Sequence, residues 1–291
     1  MSLFEQLQNL MIKYHFRPEK KLSQFFCINE ALIHFIVSNA RLAKGDIVLE
    51  IGPGTGFLTR ALCEKAAKVG AKVIAVELDN MMFELLTQEF KNEIASGTLT
   101  LIHGNFLEQD LQKLGVNKIA ALPPYHISSE LITKLDLTNG LERVVLVLDK
   151  GFIQKILAFE GFTEYVALTV FTNVNAKVEI LEDTIEQSSF FPVPNTLSTV
   201  LLLDFDIQNN SKEFLLFLKE LFRHKNKDLG KSLKQSYQFL AKPLGWKEKE
   251  FDSKLAKLAL ASKKVYLLSP QELLEVFNVL GGKAKTKKGK K

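Results

Sequence analysis

Cysteine is scarce in this sequence: 291 residues include two, Cys27 and Cys63. Two unpatterned thiols are too few for a zinc site and are expected to be free and buried, which fits an intracellular location. The histidines His34, His103 and His126 have no metal-like grouping with acids or cysteines, so no metal is inferred. Nowhere do about 18 uncharged apolar residues run together, and the opening stretch MSLFEQLQNLMIKYHF lacks the long apolar centre of a signal peptide. No membrane span is expected. The opening stretch reads instead as an amphipathic helix with Leu3, Leu7, Leu10 and Met11 on one side, packed on its own domain. A strong excess of one charge is missing too. The 38 Lys and Arg against 33 Asp and Glu give +5, but the last nine residues, KAKTKKGKK, hold six lysines, and the rest is close to neutral. This balance permits a nucleic-acid partner without demanding one, and the lysine tail reads either as a solvated end or as a phosphate contact. No internal repeat is present.

What is there is a core: 46% of the residues are hydrophobic, enough for one large domain or two smaller ones. Asn29 can cap a helix running to Val37. After it, GDIVLEIGPGTGFLTRALCEKAAKVG reads as strand, glycine loop and helix. AKVIAVELD, LTLIHGNFL, VNKIAALPPY and ERVVLVLDKGF supply four more apolar strands with helical segments between most of them. Strands near-continuous in Val, Ile and Leu argue for a buried, largely parallel sheet, hence a doubly wound α/β domain. Val166 to Phe171 and Thr199 to Asp204 are two further strand candidates flanking FFPVPNTLS. From about residue 211 the strands stop. SKEFLLFLKELFRH and FDSKLAKLALA are amphipathic helical, and SPQELLEVFNVL opens with a capping serine, a proline in the first turn and a glutamate three residues on. The expected organisation is an α/β domain over residues 1–208, a small all-helical domain over 209–280 and a disordered lysine tail over 281–291.

LEIGPGTGFLT places Gly52, Gly54 and Gly56 after a strand and before a helix, where a bare backbone can approach a ligand. The spacing G-x-G-x-G differs from the dinucleotide fingerprint, and Glu50, two residues before the first glycine, would repel a pyrophosphate while helping to orient an amine-bearing ligand. Glu77, at the end of the second strand in VELD beside Leu78, lies where a carboxylate can accept both ribose hydroxyls of an adenosine. Together these features favour S-adenosyl-L-methionine over a nicotinamide cofactor; the bland alternative is a tight turn with a charge beside it. HGNFL, with Asn105 and Phe106, would flank the adenine of that cofactor, Asn105 accepting through its amide oxygen.

At these residues the chain resembles the small-subunit ribosomal RNA adenine N6,N6-dimethyltransferases, especially the archaeal and eukaryotic-type ones, a family that also includes the erythromycin-resistance methyltransferases. The likeness runs from about residue 13 to 278. KKLSQFF is similar to the family's entrance motif, with Gln24 retained and Phe25 and Asn29 departing from it. LEIGPGTGFLT and VELD match at Glu50, Gly52, Gly54, Gly56 and Glu77. SSFFPVPNTLSTV resembles the late proline motif at Phe190, Pro192, Pro194 and Ser198, and FLKELFRHKNKDLGKSL and VYLLSPQELLEVF resemble the helical C-terminal domain. The resemblance implies a Rossmann-like class I methyltransferase domain with a helical C-terminal domain. It implies transfer of methyl groups from S-adenosyl-L-methionine to N6 of two adjacent adenines in small-subunit ribosomal RNA, the RNA or a pre-ribosomal particle being the partner. The protein would act as a monomer, cytoplasmic in an archaeon or bacterium, nucleolar or mitochondrial in a eukaryote.

The family's N-L-P-Y becomes Leu122-Pro123-Pro124-Tyr125 here. What the resemblance implies for this loop is a backbone carbonyl, kept at Pro124, that accepts from the adenine amine, and a ring, Tyr125, that stacks on the base, with Phe190 or Phe191 on its other face. The asparagine that would hold the amine is Leu122, which accepts no hydrogen bond. An amine left unpaired there costs roughly 1 to 3 kcal/mol, one to two orders of magnitude in rate if felt in the transition state. Asp149 and Gly151, and Asn195 and Leu197, are further departures near the pocket. They support a second reading, a methyltransferase-fold RNA- or DNA-binding factor of ribosome assembly or mitochondrial transcription with weak or no catalysis. For RNA, two basic stretches stand out: Lys20 and Lys21, and Arg223, His224, Lys225 and Lys227, which could hold backbone phosphates.

Overall fold

The computed structural model describes residues 1–19, 24–205 and 211–282. Their contacts divide the chain into two units, one of residues 1–131, 140–153 and 179–204, the other of 132–139, 154–178 and the described residues from Phe205 on.

The first unit is built on a seven-stranded sheet. Its strands are β2 (Ile47–Ile51), β3 (Lys72–Glu77), β4 (Leu99–His103), β5 (Lys118–Ala121), β6 (Arg143–Asp149), β7 (Lys177–Ile185) and β9 (Ser198–Asp204), in the order β4-β3-β2-β5-β6-β9-β7. The first five are mutually parallel, and β9 runs antiparallel to β6. A two-stranded antiparallel ladder, β1 (Phe26–Cys27) with β8 (Phe190–Phe191), completes the strands. The helices of this unit are α1 (Leu3–Lys13), α2 (Glu30–Asn39), α3 (Phe57–Val69), α4 (Asn80–Glu89) and the short α5 (Lys91–Ala95). Val48, Leu49, Val144, Val145 and Leu146 are fully buried at consecutive strand positions, so both faces of the sheet are covered. That is why these strands read as unbroken apolar runs.

Local signals act as their chemistry dictates. Asn29 caps α2 by accepting from the Leu32 N–H at 3.1 Å. In α1, Leu7 is fully buried, Leu3, Leu10 and Met11 pack against the same core, and Lys13 and the Tyr14 hydroxyl both reach Glu89 at 2.7 Å. The amphipathic face therefore belongs to its own unit.

The second unit is helical: α8 (Ala167–Asn175), α9 (Lys212–Phe222), α10 (Leu229–Leu244), α11 (Glu248–Ala256) and α12 (Pro270–Val279), joined by parts of α6 (Ser128–Asp136) and α7 (Lys150–Ile156). Its core centres on Phe171, Phe214, Phe217 and Phe277. Ser269 and Glu272 form the capping box expected for α12.

Three expectations are corrected here, and one strand is added. Val166 to Phe171 is not a strand: Ala167–Asn175 is helix α8, buried on nearly every side, so the β-branched run carries no helical period to read. The boundary near residue 208 is too simple, because 132–139 and 154–178 pack with the C-terminal helices. Within FDSKLAKLALA the helix ends at Ala256, after which the chain turns so that the Ala261 and Lys263 carbonyls accept from Gly230 and Leu229 at the start of α10. Strand β7, KVEILEDTI, escaped notice because a sheet-edge strand carries charge where a central one carries apolar residues.

Asp136 belongs to the helical unit. It is fully buried, accepts from the Thr172 hydroxyl at 2.7 Å through one oxygen and has no partner for the other. Burial pushes its carboxyl up to about 8, against the smaller opposing effect of Thr172. The folded protein therefore holds a proton there that the unfolded chain releases above about pH 4, so the contribution of Asp136 to stability falls as pH rises from about 4 to about 8. Urea denaturation at pH 6 and pH 8.5 should show this loss, and Asp136→Asn should remove its share. An equal pH slope in the variant would contradict the assignment.

Candidate active site

Strand β2 ends at Ile51 and α3 begins at Phe57, and the loop between them turns through three glycines with positive φ: 63° at Gly52, 55° at Gly54 and 83° at Gly56. Space demands glycine as much as angle does. A Cβ on Gly54 would lie 2.9 Å from the Phe26 ring, and one on Gly56 2.5 Å from the Phe90 ring. The loop is held from the neighbouring strand: the Gly54 N–H donates to Glu77 Oε2 at 3.1 Å, and the Asp79 N–H donates to Glu77 Oε1 at 2.8 Å.

This loop borders a cavity of about 600 Å³, within the range of small-molecule sites. Gln24, Glu50, Gly52, Gly54, Glu77 and Leu78 line it, and Asn105, Phe106, Leu122 and Pro124 face them. Gly56 does not reach the wall and instead opens α3 as its N-cap. Gln24 is fixed at both ends, its carbonyl oxygen accepting from the Glu19 N–H at 2.9 Å and its amide donating to Asp79 at 3.1 Å. Leu78 is 66% exposed, an apolar side chain held open to the cavity by a strand end.

The two acids differ in setting. Glu50 is buried and accepts from the Thr59 hydroxyl at 2.6 Å. Burial pushes its carboxyl up to about 8, the Glu77 charge adds to the rise, and the Thr59 hydrogen bond opposes it. Glu77 is also raised, by burial first, with the Asp79 and Gly54 amides working the other way. Each Glu77 oxygen holds one backbone amide and keeps a lone pair for a ligand hydroxyl. Asn105 is less open than its position suggests. Its oxygen accepts from the Leu107 N–H at 2.9 Å and its amide donates to Glu108 at 3.3 Å, so it caps the turn Phe106–Glu108.

Beside Gly52, where a Cβ would lie 3.4 Å from the Pro124 ring, Leu122 and Pro124 carry the loop that leaves β5. The Pro124 carbonyl accepts from the Ile127 N–H at 3.2 Å and retains a second lone pair. The Tyr125 hydroxyl lies 2.6 Å from Ser198 Oγ at the start of β9, and burial pushes that phenol up to about 12. Phe190 is in the core, 2% exposed, because its place opposite Cys27 in the β1–β8 ladder turns it inward. It does not line the cavity. Phe191 packs edge-on against Phe4, with centroids 5.4 Å apart. Among the wall residues that were not anticipated are Phe26, under Gly54, and His126, on the loop after β5. The likeness of the entrance motif was the signal for the first, and a polar residue four positions after Leu122 was the signal for the second.

The basic stretch after α9 is also reinterpreted. Arg223 pairs with Glu220 at 3.1 Å and its guanidinium lies over Phe239, and Lys227 donates to Gln235 at 2.8 Å. Lys225 donates to the Thr163 and Tyr165 carbonyls at 2.6 and 3.1 Å, so it clamps a loop of its own unit. His224 continues the turn through its backbone N–H to Leu221 O. Lys20 and Lys21 lie outside the described residues. Among the described residues no group of three or more His, Cys, Asp or Glu could hold a metal ion, and no helix is long and apolar enough to cross a membrane.

A family model for ribosomal RNA adenine dimethylase matches residues 15–265. A probable ribosomal RNA small subunit methyltransferase A from Thermococcus gammatolerans is 34% identical over 273 residues, covering 94% of this chain and 92% of the relative. A protein of the same description from Methanopyrus kandleri is 36% identical over 240 residues, covering 80% and 82%. Among solved structures, a dimethyladenosine transferase from Plasmodium falciparum superimposes with a TM-score of 0.72 at 26% identity, covering 88% of this chain and 98% of that one. With a doubly wound sheet, a three-glycine loop anchored by Glu77 and an aligned match over most of its length, the chain belongs to the ribosomal RNA adenine dimethylase family.

Proposed function

We propose that this protein transfers methyl groups from S-adenosyl-L-methionine to N6 of adjacent adenines in small-subunit ribosomal RNA during ribosome assembly. The observation that carries the reading is one cavity lined both by the glycine loop with Glu50 and Glu77 and by Leu122 and Pro124 of the loop after β5, with Tyr125 next in that loop though not itself in the lining.

The residues of the cavity fit the cofactor. Glu77 would take its ribose hydroxyls, Glu50 would face its amine, and Leu78, Asn105 and Phe106 would bracket its adenine. Bound there, the cofactor supplies a methyl group on a positively charged sulfur. The chain's own residues do the rest by positioning. The amine of adenine is a poor nucleophile because its lone pair is delocalised into the ring, and acceptors that hold the amine out of plane release that pair. The Pro124 carbonyl is one acceptor, and Tyr125 is the ring that stacks on the target base, which must leave its helix to reach so enclosed a site. Arg223, His224 and Lys227 would meet phosphates, while Lys225 keeps its place as a clamp. The protein would work as a monomer, in the cytoplasm of an archaeal or bacterial cell.

Leu122 favours a second reading, a binding factor without transfer. One assay separates them: tritiated S-adenosyl-L-methionine with undermethylated small subunits, followed by nucleoside analysis. Label in dimethyladenosine supports the enzyme, and binding of both ligands without transfer overturns it.

Glu50 adds a thermodynamic test. With its carboxyl near 8 it is mostly protonated at pH 7, and a cationic amine brought beside it favours the ionised form. Cofactor binding at pH 7 should then release close to one proton, and affinity should strengthen between pH 6 and pH 7.5. Calorimetry in two buffers of different ionisation enthalpy measures the proton. Release by the parent protein and none by Glu50→Gln is the expected pair, and equal release by both would remove Glu50 from the contact.

A further inference from the structure

The base-side loop lacks an amide at Leu122, yet it does not lack an acceptor. We propose that His126 takes over the missing hydrogen bond, its imidazole accepting from the adenine N6 amine and then receiving the proton that amine sheds. This rests on the dimethyltransferase reading above.

The polar side chains that line the cavity divide by element. Gln24, Glu50, Thr55, Glu77, Asp79 and Asn105 are among those outside the loop that leaves β5. These side chains stand before the sheet, on or just after β2, or at the ends of β3 and β4. On the loop that leaves β5 the described cavity wall consists of Leu122, Pro124, His126 and Ile127. Of these four, His126 alone has a side chain that can accept. It is exposed, so it meets solvent and an incoming base, and it sits in a single turn of helix, Tyr125–Ile127, directly after the stacking ring. That turn is pinned: the Ser128 hydroxyl donates to the Tyr125 carbonyl at 2.7 Å, and the Tyr125 hydroxyl is tied to Ser198. A ring in that position is carried on rigid backbone.

Chemically, the imidazole does what an amide oxygen would do and one thing more. An acceptor lone pair on the amine hydrogen draws N6 toward tetrahedral geometry. The N6 lone pair then forms the new N–C bond as the methyl's bond to sulfur breaks, and that electron pair stays with sulfur, which becomes neutral. N6 is left with a positive charge and a surplus proton. An amide oxygen can only hold that proton by hydrogen bonding, whereas a neutral imidazole can take it and pass it to water.

The test uses the full-length protein with undermethylated small subunits and measures single-turnover methyl transfer alongside the Kd for S-adenosyl-L-methionine and for the subunit. His126→Ala should slow transfer about 10- to 100-fold with both Kd values within about twofold of the parent. His126→Gln, whose amide oxygen accepts, should recover most of that loss. The decisive comparison is in a Leu122→Asn background: with an acceptor restored at 122, adding His126→Ala should cost less than about threefold. Equal loss in both backgrounds, a glutamine as poor as the alanine, or no loss at all would each overturn the assignment to His126 while leaving the dimethyltransferase reading intact. A parent protein that binds both ligands and transfers nothing would overturn that reading, and the proposal with it.

Discussion

Tyr125→Ala is expected to lower methyl transfer at least 100-fold while leaving the affinity for S-adenosyl-L-methionine within about twofold. Two effects combine. A base stacked on an aromatic ring gains about 1 to 3 kcal/mol, and the same ring sets the angle at which N6 meets the methyl, where a displacement of about 1 Å can cost about 10²-fold. The structure shows how the ring is held, between the stiff Pro123-Pro124 pair behind it and Ser198 at 2.6 Å from its hydroxyl. Because Ser198 begins β9, which is paired along its length to β6, the ring is referenced to the centre of the sheet. Tyr125→Phe keeps the stacking face and loses only the tether, so it should cost a few-fold. Its loss should appear in the transfer rate, not in subunit affinity. Single-turnover rates with a saturating cofactor provide the measurement, and an alanine variant within threefold of the parent would remove Tyr125 from the base site.

Much of this arrangement was legible before any coordinates because it depends on local chemistry. Strands covered on both faces are apolar throughout, a loop that must turn three times at positive φ needs glycine, and caps such as Asn29 and Ser269 announce helices. The failures share a different cause, since each concerns what a segment packs against. Helix α8, which starts just after Val166, is buried on most sides, and Thr169 and Thr172 find their partners at the Lys155 carbonyl and Asp136, far off in sequence. The burial of Phe190 is not visible in its motif, because the one-residue alternation of the β1–β8 ladder decides which of two adjacent phenylalanines turns inward. Lys225 read as one of four cations available to phosphate, and only the fold reveals that two carbonyls of a distant loop already hold it. The loop after β5 is the instructive intermediate case. The sequence displayed the missing amide at Leu122 plainly, whereas the imidazole four residues later acquires meaning only once both are seen on one cavity wall.

The other large effect is expected at Glu77, and it should appear in binding rather than in rate. Substitution by glutamine is the sharper experiment than substitution by alanine. Both carboxylate oxygens of Glu77 now accept backbone amides, from Gly54 and Asp79, and both must also serve the two ribose hydroxyls if the cofactor reading is right. Glutamine conserves the volume but replaces one oxygen by an NH₂ group that can only donate. It therefore sets donor against donor at one of the two amides and loses one hydroxyl acceptor together with the charge. A hydrogen bond to a charged group contributes about 1.5 to 3 kcal/mol, so Glu77→Gln should weaken S-adenosyl-L-methionine by about 10- to 150-fold. Alanine loses both acceptors and should fall further, with some of the loss arising from a slackened glycine loop. Loop damage and lost ligand contact are separable by using a ligand without the hydroxyls: methionine itself should bind the parent and the glutamine variant alike, if weakly, whereas S-adenosyl-L-homocysteine should distinguish them. Calorimetry with these ligands, beside a thermal unfolding curve for each variant, gives the answer. An undiminished affinity of Glu77→Gln for both adenosyl ligands would mean that the carboxylate only braces the Gly54 turn and that the ribose is held elsewhere.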